Sequence, residues 1–192
     1  MKYSLEEIQK SLQKKLKNSR YIHTLGVEYT SVCLAMKYGA DLEATEVAGL
    51  LHDCAKQLPE KKILQLCRKY GEKISKMEYD NPFLLHGKAG ACIAREKFGI
   101  NDEKILNAIR YHTTGRPEMD IIEKIVFVAD YIEPSRKKAD NLKELRQMAF
   151  EDLDKTLLMI LEQTLSYLET SGREIDRHTI MTRDYYKKII KE

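Results

Sequence analysis

The 192-residue chain has little of what marks a membrane, secreted or nucleic-acid-binding protein. No stretch approaches the roughly 20 consecutive apolar residues that a membrane span needs. The opening MKYSLEEIQKSLQKKL has neither an apolar h-region nor a small-residue cleavage site. These absences predict a cytoplasmic protein with no membrane partner. There are only four cysteines, Cys33, Cys54, Cys67 and Cys92, and no CxxC pair. Each sits in an apolar helical pattern, so they read as reduced, buried hydrophobes rather than a zinc or redox site. Charge of one sign is also missing, since 33 basic and 30 acidic residues leave a net +3. A protein that grips a nucleic acid polymer through its phosphates needs a clustered basic stripe. The nearest run, Lys14, Lys15, Lys17 and Arg20, reads as a solvated helix face, with Arg20 set aside. No GxxxxGK[ST] loop is present, which excludes a P-loop ATPase. No nucleophilic Ser or Cys motif, low-complexity segment or internal repeat occurs.

What is there is ordinary for a folded protein: 43% hydrophobic and 33% charged residues, with 9 Gly and 4 Pro. That length can bury a core without disulfides. The apolar spacing is helical nearly throughout. It predicts helices over 5–17, 20–38 and 42–57, the second ended by Gly39. Pro59 suits the first turn of another, running to 70. Residues 72–86 read as a looser connection. Helices follow at 87–98, capped by Gly99, and at 103–111, started by Asn101 or Asp102. Residues 119–132 are apolar almost all round, and 141–170 read as one long helix before a tail helix at 176–191. The expectation is an all-α bundle forming a single domain over 1–192. Its core spans about 18–135, with a helical extension over about 140–192.

Five histidines are present, and four lie in apolar surroundings. His52 and Asp53 sit side by side in AGLLHDCAK, on what reads as a buried helix. A buried carboxylate without a partner costs several kcal/mol. Asp130 sharpens the point, because it interrupts IVFVA on a helix that patterning places in the core. A cation compensates several such groups together. His23, His52, Asp53 and Asp130 supply two imidazoles and two carboxylates. That mixture suits iron, manganese or another first-row divalent ion, and not a closed thiolate zinc site. His86 precedes Gly87, which would permit close ligand approach. His112 opens His-Thr-Thr-Gly-Arg, good company for phosphate oxygens. Both could instead ligate a second ion, and one ion or two stays open.

His23, then His52-Asp53, then Asp130 resembles the H…HD…D signature of the HD-domain superfamily. The longer strings RYIHTLGV, AGLLHDCAK, LLHGKAGA, IRYHTTGRPEM and KIVFVADYIEPSR resemble the YqeK-type symmetrical diadenosine tetraphosphatases, from residue 20 to the C-terminal region. The resemblance implies an HD-type helical bundle and an iron-dependent hydrolase that cuts diadenosine tetraphosphate in the middle, giving two ADP. It implies a metal held by His23, His52, Asp53 and Asp130. Arg20, Lys56, His86, His112, Thr113 and Arg136 would surround the phosphates, with Asp53, His86 and His112 serving the chemistry. The tail from Arg177 through His178 to Arg183 would close over a nucleoside. Three other readings compete: an HD-type phosphohydrolase with a different nucleotide substrate, a nucleotide-binding regulatory module without turnover, and a structural helical adaptor. Apolar helical stripes also allow a homodimer.

Overall fold

The computed structural model describes residues 3–190 and contains helices but no strand among them. Helix α1 (Leu5–Gln13) starts from a Ser4–Glu7 capping box, in which each side chain satisfies a backbone N–H of the other. It is shorter than the expected 5–17, since α2 (Asn18–Tyr38) begins after only a four-residue turn. Gly39, in the left-handed conformation, ends α2. Asp41 caps α3, which runs only over Leu42–Leu51.

The early end of α3 corrects the expected helix over 42–57. From His52 onward the backbone bonds span three residues: Cys54 N to Leu51 O, Lys56 N to Asp53 O, and Leu58 N to Ala55 O. The His52-Asp53 pair therefore sits in a tightened turn at the end of a buried helix, not within it. Helix α4 (Glu60–Lys69) follows Pro59. The expected loose connection holds a short α5 (Lys76–Asp80) and a 3-10 turn over Pro82–Leu85.

Helices α6 (His86–Phe98), α7 (Glu103–Tyr111) and α8 (Ile121–Ile132) complete the part that bears the site. Asp102 caps α7, and an Asp120–Glu123 capping box starts α8 two residues later than expected. The predicted long helix is two, α9 (Leu142–Met148) and α10 (Leu153–Thr170). Asp152 caps α10, and the Tyr38 hydroxyl donates to the Ala149 carbonyl at 2.8 Å within the break. Helix α11 (Arg177–Ile189) closes the described chain, so residue 191 of the expected tail helix lies outside it.

Helix α8 lies at the centre, packed by α2, α3, α7 and α10. One apolar cluster lies among α1, α3, α6, α7 and α8, a second among α2, α8, α9, α10 and α11, and a smaller third under α4 and α6. All four cysteines are free. Cys67 and Cys92 are buried as expected, whereas Cys33 is exposed because it faces away from α3 and α8. Burial pushes the Cys54 thiol up to about 12, which leaves it unreactive. No helix is long and apolar enough to cross a membrane.

Candidate metal centre

Five elements each bring one or two polar side chains to the same buried point. Helix α2 supplies His23, the turn after α3 supplies His52 and Asp53, and α6 opens with His86. His112 follows α7 directly, and Asp130 comes from the last turn of α8. All four histidines and Asp53 are buried, and Asp130 is 23% exposed.

The ring nitrogens are committed in one consistent way. Nδ1 of His52, His86 and His112 donates to the carbonyls of Gly49, Phe83 and Ile109 at 2.7, 2.8 and 2.8 Å. A carbonyl can only accept, so these three rings carry their proton on Nδ1. Nδ1 of His23 lies 3.1 Å from a Glu133 oxygen. Every Nε2 then faces inward. His23 Nε2 and His52 Nε2 are 3.3 Å apart, and His86 Nε2 and His112 Nε2 are 3.1 Å apart. Carboxylates complete the ring. Asp130 Oδ1 is 3.0 Å from His23 Nε2, and Asp53 Oδ1 is 3.4 and 3.5 Å from the Nε2 atoms of His86 and His112. Asp53 Oδ1 is buried and has no hydrogen-bond donor. Lone pairs aimed at one another and at an orphaned carboxylate oxygen repel unless a cation lies between them.

The donor set therefore fits a divalent metal. Two overlapping groups meet the spacing of a metal site: His23, His52 and Asp130, and His52, Asp53 and His112. Nitrogen and oxygen donors without thiolate suit a first-row transition ion.

The electrostatics point the same way. Burial would raise the Asp53 carboxyl, but the neighbouring His52 and His112 outweigh it and hold it well below the usual range. Burial likewise opposes ionisation of Asp130, and the His23 contact, the neighbouring His52 and His112 and the Arg136 charge outweigh it. Burial pushes His86 down to about 3, with Lys56 and His112 acting in the same direction, so its imidazole is neutral.

Cations ring the cluster. Arg20 donates to Asp53 Oδ2 at 2.7 Å. Lys56 Nζ lies 3.0 Å from His86 Nε2, and Thr113 Oγ1 lies 3.2 Å from the same atom. Arg136 donates to the backbone carbonyl and Oδ1 of Asp130 at 2.7 and 3.1 Å. Two recesses flank the cluster. One of about 580 Å³ runs past Thr113, Thr114, Tyr111 and Lys88. The other, of about 430 Å³, is lined by Arg20, His23, Arg136, Lys137 and Lys138. His178 lines the first recess, half-exposed and 3.2 Å from Asp176. Arg183 pairs with Asp184 instead and lines neither recess. Gly87 has a different use from the one the sequence suggests. A Cβ there would lie 2.6 Å from the Arg110 carbonyl, so the glycine lets α7 approach α6 and bring His112 to His86.

Sequence reasoning missed Glu133. Glu133 is 1% exposed. Its Oε2 accepts from the Ser135 N–H at 2.6 Å and its Oε1 from the Ser135 hydroxyl at 2.7 Å. A Cβ at Gly26 would lie 2.4 Å from Glu133 Oε2, so Gly26 makes room for this carboxylate. The available signal was an acidic residue between an apolar helix and Pro-Ser, where a solvated helix end needs none.

The fold and site together define a helical protein whose buried donor set fits a divalent metal and is ringed by cations. Residues 20–135 match the HD domain family. The chain is 38% identical to the symmetrical bis(5'-nucleosyl)-tetraphosphatase of Bacillus subtilis (strain 168), over 94% of this chain and 96% of that one. It is 37% identical to the protein of that name from Staphylococcus aureus (strain NCTC 8325 / PS 47), over 95% and 94%. A crystal structure from Clostridium acetobutylicum, described as a predicted HD superfamily hydrolase involved in NAD metabolism, superposes with a TM-score of 0.95 at 43% identity. It covers 98% of this chain, which covers all of it. The chain belongs to the HD domain family.

Proposed function

We propose that the protein hydrolyses diadenosine tetraphosphate symmetrically. Water adds to one of the two central phosphorus atoms, and the bridging oxygen leaves with the other half, giving two ADP. The observation that carries this is the convergence of four inward imidazole nitrogens and two carboxylates, ringed by cations. Full-length relatives that carry the tetraphosphatase name support it.

His23, His52 and Asp130 would hold one ion, and Asp53 and His112, with His86 beside them, a second. Iron is the proposed metal. When bound, such ions lower the pKa of a water and neutralise phosphate charge. Asp53 orients the attacking water through the oxygen that lacks a donor. Arg20, Lys56, Thr113 and Arg136 offset charge on the phosphate oxygens, the main burden of phosphoryl transfer. His86, which is neutral, and His112 are both locked by their backbone bonds and hold the geometry at Asp53. His178, at the mouth of the larger recess, faces the nucleoside. Arg183, which lines neither recess, has no part in this reading. The protein acts in the cytoplasm as a homodimer.

The test is to incubate purified protein with diadenosine tetraphosphate, with and without chelator and added ferrous iron, and to resolve the products. ADP alone, lost with chelator and restored by iron, is expected. ATP plus AMP would overturn the point of attack. Bound ADP without turnover under any metal would favour a regulatory module, and faster turnover of another nucleotide a different HD-type hydrolase. Asp53→Ala should lower turnover about a thousandfold while leaving the helical spectrum unchanged. Retained activity would remove Asp53 from the mechanism.

A further inference from the structure

Helix α2 buries one face against α3 and α8, and its opposite face is apolar too. Ile22, Tyr29 and Met36 are 49%, 58% and 61% exposed. Leu25 and Val32 lie between them, half-buried, and Cys33 is exposed. The positions 22, 25, 29, 32 and 36 alternate steps of three and four. That is the seam a left-handed helix pair uses, and a lone solvated face has no reason to keep it. No other element of the described chain covers it.

Ile22 and Met36 stand seven positions either side of Tyr29. When a second copy of α2 is laid antiparallel with the two Tyr29 residues facing, Ile22 meets Met36 and Leu25 meets Cys33. Ile22, Leu25 and Met36 then each find an apolar or small partner. The charges at the two ends agree with this pairing. At the N-terminal end stand Lys17, which precedes the helix, and Lys137 and Lys138, which share a recess with Ser19 and Arg20. At the C-terminal end stand exposed Asp41, Glu43, Glu151 and Asp152. The last two are brought there by the bond from the Tyr38 hydroxyl to the Ala149 carbonyl. Lys37 and Lys155 are also exposed near that end, and they leave it acidic on balance. Antiparallel pairing sets each basic end against the partner's acidic end, whereas parallel pairing sets like against like.

We propose that this seam is where two copies of the chain pair antiparallel, about a two-fold axis beside Tyr29. The proposal rests on the homodimer reading above and adds its surface and direction. An isologous contact of this kind is the commonest route to a closed dimer. The seam supplies an apolar centre about 21 Å long, from Ile22 to Met36 at a rise of about 1.5 Å per residue, and the charged ends supply the polar rim.

The experiment measures the mass of the full chain by light scattering after gel filtration, for wild type, Tyr29→Arg and Met36→Lys. Both substitutions are at exposed positions, and circular dichroism with a melting curve checks their fold. The expected result is a wild-type dimer and a dissociation constant weakened at least about a hundredfold in each variant, since each places two unpaired charges in the contact. Direction is read by oxidation to disulfides. In a Cys33→Ser background, Tyr29→Cys should cross-link between copies. Native Cys33 should not, because the two Cys33 positions fall about 12 Å apart along the axis, beyond the roughly 7 Å a disulfide can span. Cross-linking through Cys33 alone would overturn the antiparallel direction. A dimer that persists in both charged variants would overturn the seam and keep the homodimer. A wild-type chain that stays monomeric would overturn both.

Discussion

Three of the four inward histidines are set by backbone carbonyls three residues upstream, and His23 alone is set by a carboxylate. Glu133 is held by both the N–H and hydroxyl of Ser135, so its oxygens cannot swing away. A carboxylate behind a metal-facing imidazole fixes its tautomer and raises its basicity. Burial lowers the His23 pKa, but the bonds to Asp130 and Glu133 outweigh it and leave it raised. Glu133→Gln keeps the shape and removes the charge. It should weaken metal affinity roughly 10- to 100-fold in a competition titration against a chelator, with the metal-free melting temperature nearly unchanged. Equal affinity in mutant and wild type would make Glu133 a mere anchor of the chain after α8.

At the scale of the element, α2 carries a second buried acid whose role is separate from the metal. Glu28 is fully buried between α1 and α3, with one oxygen accepting from Gln9 at 2.7 Å and the other without a partner. Burial pushes it up to about 7; the Gln9 bond opposes that shift, and the charge of Glu46 adds to it. A folded pKa above the unfolded one means the folded state prefers the proton. That stability is full below about 4.5 and is lost as pH rises through about 7. Glu28→Gln should therefore melt higher than wild type at pH 8, with the gap closing towards pH 5. A gap that does not change with pH would show that Glu28 is neutral for some other reason. The break between α9 and α10 is the other element-level device. Asp152 accepts from the Lys155 N–H at 2.9 Å, so Asp152→Ala should cost about 1 kcal/mol in a denaturant titration. No loss would mean that burial of Leu153 and Ala149 sets the break instead of the cap.

For the whole molecule, a metal held at the candidate centre would also be a clasp, because the converging donors come from α2, the turn after α3, α6, the end of α7 and α8. An ion that binds only the folded chain stabilises it by mass action, about 2.7 kcal/mol at a hundred times its dissociation constant. Removing the metal with a chelator should lower the melting temperature by several degrees, and added ferrous iron should restore it. An unchanged melting curve, with metal loss confirmed by elemental analysis, would show that the clasp is preformed by packing alone.

Sequence alone determined the helical class, most helix starts and the six residues that converge. Helical periodicity, Asp and Gly caps, and polar groups stranded in apolar runs are all local signals. A buried carboxylate such as Asp130 declares its need for a partner wherever the chain goes. The tertiary structure decided what no local pattern holds. The single long helix over 141–170 breaks where Tyr38, over a hundred residues earlier, donates to the Ala149 carbonyl. The turn after α3 tightens so that His52 and Asp53 both face the centre. His86 and His112 join Asp53 because Gly87 lets α7 close in, and Glu133 becomes a partner of His23 because Gly26 leaves it room. In each case the deciding contact lies far away in sequence, and packing competes with and overrides the local preference.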